Sequence, residues 1–251
     1  MVYFVGAGSG AADLITVRGA RLLAEADVII YAGSLVNPAL LDYARAGTEI
    51  HDSARMTLEE VIETIRAAEA RNLTTVRLHT GDSSIFGAVR EQFDALDALG
   101  IEYSVCPGVS SFCGAAASLK TEYTLPDVSQ TVIISRMEGQ TPTPEGQKIR
   151  ELAAHGATMV LFLSAGLLED LQRELLAGGC APGTPAAIVY KATWPDEKIL
   201  RCRVGDLAET ARRNAISKTA LILVGDFLGD RYERSRLYDP GFSTEFREAK
   251  P

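Results

Sequence analysis

Short apolar runs alternate with longer amphipathic stretches through the first half of this chain, and that alternation leaves few folds open. Val2–Val5 stops at Gly6 and reads as a buried strand, Thr16 to Ala26 as a helix, and Val28–Tyr31 as a second buried strand. Thr57 opens a helix, with Glu60 placed to complete a capping box and Leu58, Val61, Ile62 and Ile65 recurring at helical spacing. Thr75–Leu78 predicts a strand, Ile85 to Leu99 a helix, Ile101–Cys106 a strand, and Val109 to Leu119 a short helix rich in small residues. Repetition of this kind predicts a mostly parallel sheet covered by helices, an α/β fold.

Lys120 to Pro126 breaks the rhythm: it is polar, lacks periodicity and ends in proline. Beyond it, Thr131–Ser135, Met159–Leu163, Ala186–Tyr190, Ile199–Val204 and Ala220–Val224 read as strands of a second sheet. Helices are expected around Glu145–His155 and over Leu167–Ala177. Asp196-Glu197 between two strands suggests a hairpin, so this sheet is expected to be mixed. The expected organisation is an N-terminal α/β domain over 1–119, a linker over 120–128, a C-terminal α/β domain over 129–228 and a surface tail over 229–251.

Composition narrows the function. With 25 Lys plus Arg against 33 Asp plus Glu, the net charge of −8 disfavours an extensive phosphate-binding surface, so nucleic acid is not an expected partner. The four cysteines, Cys106, Cys113, Cys180 and Cys202, form no CxxC and no tight cluster, and the three histidines are scattered. No protein-bound metal is expected, and the thiols read as reduced core or near-core residues. No apolar run approaches membrane-spanning length, and the opening residues lack a basic stretch before their apolar run. These features predict a cytoplasmic protein with no membrane partner.

Three loops at expected strand ends carry the chemistry. Gly6-Ala7-Gly8-Ser9-Gly10 follows the first strand, and Gly6, Gly8 and Ala11 fit the dinucleotide fingerprint. A nicotinamide site also needs an acid at the end of the second strand, and Ile30-Tyr31-Ala32-Gly33-Ser34 has none. The loop reads either as a pyrophosphate cradle or as a tight turn beside another site. Thr80-Gly81-Asp82-Ser83-Ser84-Ile85-Phe86-Gly87 and Pro107-Gly108-Val109-Ser110-Ser111-Phe112 follow two further strands. Asp82 reads as a helix cap or as a ligand-orienting carboxylate, and Ser110 and Ser111 as further caps or contacts. No GxSxG elbow supports a nucleophilic serine.

These loops resemble motifs of the tetrapyrrole methylases. Val5-Gly6-Ala7-Gly8-Ser9-Gly10-Ala11-Ala12-Asp13-Leu14-Ile15-Thr16 resembles the family's opening motif, Gly81 to Gly87 its second and Pro107 to Ser111 its third. The likeness continues through Thr158–Leu163, Ala187–Glu197 and Thr219–Gly225, covering nearly residues 1–228. Within the family, Leu125–Thr131 and Ala192–Glu197 resemble the branch that methylates C11 of precorrin-4 or cobalt-precorrin-4 in cobalamin synthesis.

The resemblance implies two α/β domains with S-adenosylmethionine bound in a cleft between them, S-adenosylhomocysteine as product, a tetrapyrrole substrate and a homodimer. It implies that the first glycine loop lies near the substrate trough. Donor contacts are implied for Ser9, Thr80, Gly81, Asp82, Ile85, Ser110 and Ser111. Leu163 takes a place often held by methionine, and Ala192 and Ala220 offer backbone groups to the adenine. Ser9 and Ser83 stand where the family usually has proline; serine frees an N–H and loosens φ, and offers a hydrogen bond. Arg18, Arg55, Arg136 and Lys191 are the expected partners for the acceptor's carboxylates. No residue is assigned as catalytic base. The competing readings are a methylase of different regiochemistry, a nucleotide-dependent oxidoreductase and a non-catalytic tetrapyrrole carrier.

Overall fold

The computed structural model describes residues 1–250 and contains two compact units, Met1–Ala115 with Lys191–Glu197, and Ala116–Tyr190 with Lys198 onward. In the first unit, β1 (Val2–Gly6), β2 (Val28–Tyr31), β3 (Glu49–Asp52), β4 (Thr75–His79) and β5 (Tyr103–Cys106) form one sheet in the order β3-β2-β4-β1-β5. Every pairing in it is parallel. Its helices are α1 (Val17–Glu25), α2 (Leu58–Glu69) and α3 (Arg90–Leu99), and α4 (Ser111–Leu119) begins in it.

Side-chain alternation along the strands separates two cores. Val5, Ile29, Val76 and Leu78 pack with Ile15, and with Leu23 of α1 and Leu40, on one face. Val2, Phe4, Val28 and Ile30 pack with Val61, Ile62 and Ile65 of α2 and Leu96 of α3 on the other. The chain leaves β1 through α1 toward β2, but leaves β4 through α3 toward β5 in the opposite direction and over the opposite face. Since β1 and β4 are neighbours, their carboxyl ends form the topological switch point, where open α/β sheets place ligands.

In the second unit, β6 (Val132–Arg136), β7 (Thr158–Phe162), β8 (Pro185–Tyr190), β9 (Lys198–Arg203) and β10 (Ala220–Val224) form a sheet in the order β6-β7-β10-β8-β9. Only β6 and β7 are parallel, so the sheet is mixed. One face packs with Ile149 of α5 (Ile149–Ala153), Leu168, Leu171 and Leu175 of α6 (Leu168–Ala177), and Leu207 and Ala211 of α7 (Leu207–Arg213). Beyond Gly229 the chain carries one short helical turn, Arg236–Tyr238, and Arg247 donates to the carbonyls of Leu237, Asp239 and Phe242. No helix among the described residues is long and apolar enough to cross a membrane.

Several sequence expectations differ from the structure. The helix expected from Ile85 starts at Arg90, because Phe86 and Ala88 adopt left-handed backbone with φ of 53° and 47°. The helix expected over Glu145–His155 is only Ile149–Ala153. Strand β3 and helix α7 were not expected. Cys113 is exposed rather than a core thiol.

Candidate functional site

Two helix starts of the first unit, α1 and α2, are built as their sequences dictate. Thr16 caps α1 by accepting the Gly19 N–H at 3.0 Å, and Thr57 and Glu60 form the reciprocal capping box of α2. The glycine loops also meet one another through main-chain hydrogen bonds. Gly8 and Gly81 exchange two hydrogen bonds, at 3.2 and 2.9 Å, and the Ala7 N–H donates to the His79 carbonyl at 2.7 Å. A Cβ on Gly108 would lie 2.2 Å from the Gly81 oxygen and 2.7 Å from Gly6 Cα. Only glycines allow the three loops to touch through their main chains.

Asp82 stitches two of these loops together. Its Oδ2 accepts the Gly108 N–H at 2.7 Å, and its Oδ1 accepts the Ser84 N–H at 2.9 Å and the Ser84 hydroxyl. Burial pushes the carboxyl up, but the Ser84 hydroxyl and the Gly108 and Ser84 amides outweigh it and hold the pKa below its ordinary value. No helix begins at Asp82, so the helix-cap reading is replaced by a carboxylate that closes its own turn and fastens the loop after β5.

The structure gathers Ser9, Thr80, Gly81, Asp82, Ile85, Ser110, Ser111 and Ala192 in the first unit. Ser110 is buried and its carbonyl accepts the Cys113 and Gly114 amides at the start of α4, while Thr80 is exposed. Ser9 gains the hydrogen bond that a proline there would lack: its hydroxyl meets the Thr193 hydroxyl at 3.0 Å. Leu163 and Ala220 lie in the second unit, at one end of its sheet, since β7 and β10 run antiparallel with Leu161 opposite Ile222. Leu163 does not belong to the core. Strand β7 ends at Phe162, and Leu163 is 68% exposed with φ at 51°. An exposed leucine in left-handed backbone costs about 1–2 kcal/mol and has no packing reason within its own unit.

The four basic candidates differ. Arg18 on α1 and Arg55 just beyond β3 are exposed, stand at the carboxyl end of the first sheet, and form no ion pair among the described residues. Arg136 donates to the carbonyls of Met137, Thr141 and Pro142. Lys191 pairs with Asp196 at 2.6 Å and lies over the Trp194 ring. Among the described residues no group of three or more His, Cys, Asp or Glu side chains is placed to hold a metal.

Sequence reasoning missed three contributors. Gly108 acts through its amide on Asp82, Asn37 donates to the Gly10 carbonyl at 2.9 Å, and Thr193 accepts the Ala11 N–H and shares a hydrogen bond with the Ser9 hydroxyl. Thr193 lies inside the Ala187–Glu197 stretch, but nothing in its spacing points to the loop it holds. Asn37 carried no signal.

Comparison with known proteins agrees with the loop architecture. The family model for Tetrapyrrole (Corrin/Porphyrin) Methylases matches residues 1–208. The chain is 51% identical to the Cobalt-precorrin-4 C(11)-methyltransferase of Methanocaldococcus jannaschii over 249 residues, covering 99% of this chain and 96% of that one. A crystal structure of a cobalt-precorrin-4 methyltransferase, a cobalamin biosynthetic enzyme, superposes with a TM-score of 0.89 at 44% identity, covering 91% of this chain and 96% of the other. Uroporphyrin-III C-methyltransferase from Thermus thermophilus, solved with S-adenosylhomocysteine, superposes at 0.77 with 28% identity over 90% of this chain and 98% of the other. A glycine-built switch point, two α/β units and a match running through both make this chain a member of the tetrapyrrole (corrin/porphyrin) methylase family.

Proposed function

We propose that the chain transfers a methyl group from S-adenosylmethionine to C11 of precorrin-4 or cobalt-precorrin-4. Family membership supports methylation of a precorrin-type tetrapyrrole, and the observation that carries the finer reading is near-full-length likeness to the archaeal C11-methyltransferase.

The residues present fit this donor. S-adenosylmethionine supplies, when bound, an electrophilic methyl group on a positively charged sulfur. The carboxylate of Asp82 is held ionised at the switch point, which favours a cationic ligand nearby. Thr80 offers an exposed hydroxyl on the same loop, Ser111 opens α4 beside Gly81, and Leu163 offers an exposed apolar surface on the second unit. Ala192 and Ala220 offer backbone groups.

Direct displacement needs no covalent link to the protein, so the chain contributes alignment and exclusion of water. Asp82 contributes alignment: with Oδ2 on Gly108 and Oδ1 on Ser84, it fixes the loops after β4 and β5 against each other. The same engagement makes it a poor proton acceptor. Arg18 and Arg55 hold the acceptor through its carboxylates, a role their exposure and freedom from ion pairs permit.

The test is turnover. Purified protein is supplied with S-adenosylmethionine and a panel of precorrin intermediates, each with and without cobalt. S-adenosylhomocysteine is expected only with a precorrin-4-type acceptor. Its absence with every acceptor, or its formation with another intermediate alone, overturns the proposal.

A further inference from the structure

The turn joining β8 to β9 is fastened to the first glycine loop through one hydroxyl. Thr193 Oγ1 accepts the Ala11 N–H at 3.1 Å and shares a hydrogen bond with Ser9 Oγ at 3.0 Å. The Thr193 N–H in turn donates to Glu197 Oε2 at 2.6 Å, and the Trp194 N–H donates to the Lys191 carbonyl at 3.0 Å. Thr193 and Lys191 both hold left-handed backbone, with φ of 67° and 48°. For a β-branched residue that conformation is an outlier which persists only where the surroundings impose it.

The fit leaves no slack. A Cβ on Gly10 would lie 2.1 Å from Trp194 Cδ1 and 2.6 Å from the Ala192 carbonyl. From the other side, a Cβ on Gly114 of α4 would lie 2.6 Å from Ser9 Cβ and 3.3 Å from Thr193 Cγ2. Ser9 is therefore held between α4 and the turn, with its hydroxyl aimed at Thr193.

The glycine loop thus has two limbs with separate anchors. Residues 6–8 are held by the Gly8–Gly81 pair and the Ala7–His79 bond, and these do not involve Thr193. Residues 9–11 are held by Thr193, with Asn37 on the Gly10 carbonyl. We infer that Thr193 is a positioning residue for the methyl transfer: through Ser9 and Ala11 it sets the second limb of the glycine loop. That limb is set separately from the loops joined by Asp82, so a change at Thr193 leaves the Asp82 bonds in place. The inference rests on the methyltransferase reading above.

Thr193→Val removes the hydroxyl and keeps the β-branched shape and the backbone demand; Thr193→Ser keeps the hydroxyl. Three readouts are compared: exchange protection of the Ala11 amide, affinity for S-adenosylhomocysteine, and kcat and KM with the macrocycle. Thr193→Val is expected to lose Ala11 protection and about tenfold in kcat/KM, the worth of two ordinary hydrogen bonds. Its melting temperature is expected to fall by about 2–4 °C, since the part-buried Ala11 N–H loses its acceptor, and its loss of kcat/KM is expected to exceed any loss of affinity for S-adenosylhomocysteine. Thr193→Ser is expected to recover most of the activity, since it keeps the hydroxyl that meets Ser9 and Ala11.

Unchanged Ala11 protection in Thr193→Val would overturn the positioning role. So would a fall in donor affinity and melting temperature in step with activity, which marks a residue needed only for folding. Unchanged kcat/KM with lost protection would overturn the link to methyl transfer. Should wild type turn over no precorrin at all, the methyltransferase reading fails, and the exchange measurement still decides whether Thr193 holds the loop.

Discussion

Asp82 Oδ2 accepts the Gly108 N–H at 2.7 Å, so the loop after β4 and the loop after β5 are joined by one carboxylate at the switch point of the first sheet. Both Asp82 oxygens receive N–H donors. Asparagine can satisfy only one of them and turns an NH₂ group toward the other. Asp82→Asn is therefore expected to lower stability by about 1–3 kcal/mol. It is expected to weaken both S-adenosylmethionine and S-adenosylhomocysteine, the cationic donor more, measured by calorimetry at one ionic strength. Weakening of the charged donor alone, with normal stability, would show that Asp82 acts through its charge rather than as a fastener.

Leu163 allows fold and function to be separated. Glycine relieves its left-handed backbone by about 1–2 kcal/mol and costs about 0.5–1 kcal/mol in chain entropy. Leu163→Gly is thus expected to leave stability unchanged or slightly raised. Donor affinity is expected to fall about tenfold or more, the worth of an apolar side chain buried against a ligand. Denaturant titration and ligand calorimetry read the two effects, and retained affinity would remove Leu163 from the donor site.

His79 sets an acid limit to stability. Burial, and then the charge of Arg77, push its pKa down to about 3, and its Nε2 is buried with no hydrogen-bond partner. The unfolded chain binds this proton near pH 6.5 and the folded chain does not. Stability is unaffected above about pH 6.5 and is lost as pH falls from there toward 3, by up to about 1.4 kcal/mol per pH unit. His79→Phe, which keeps a ring against Phe4, is expected to flatten that limb in urea titrations at about pH 7 and pH 5. An unchanged difference between the two pH values would assign the acid sensitivity elsewhere.

Arg18 and Arg55 are exposed and without ion pairs among the described residues, so Arg18→Gln and Arg55→Gln are expected to change stability by less than about 0.5 kcal/mol. Each is expected to raise KM for the macrocycle several-fold, and less so at high salt. Equal KM values for wild type and both variants would move the carboxylate contacts to other residues.

Elements with local causes were legible in the sequence. Thr16 and Thr57 mark the starts of α1 and α2 because capping is written within a few residues. Strand β3 was not legible: Glu49-Ile50-His51-Asp52 is a polar edge strand whose pairing with β2 comes from topology, not pattern. Helix α7 escaped because Leu207 and Ala211 are its only buried anchors. At the site, Asp82 stood out as an acid in a glycine loop, but its partner Gly108 is brought there by the packing of two strands onto β1. The left-handed backbone of Phe86 and Ala88, which helical propensity does not foretell, turned an expected helix into a loop.

The central claim is transfer of the donor's methyl group to C11 of a precorrin-4-type macrocycle. The direct measurement is magnetic resonance of the product formed with a donor isotopically labelled in its methyl group. The expected result is a single labelled methyl on C11, formed in step with S-adenosylhomocysteine. Label on another carbon, or S-adenosylhomocysteine formed without label in the macrocycle, would contradict it.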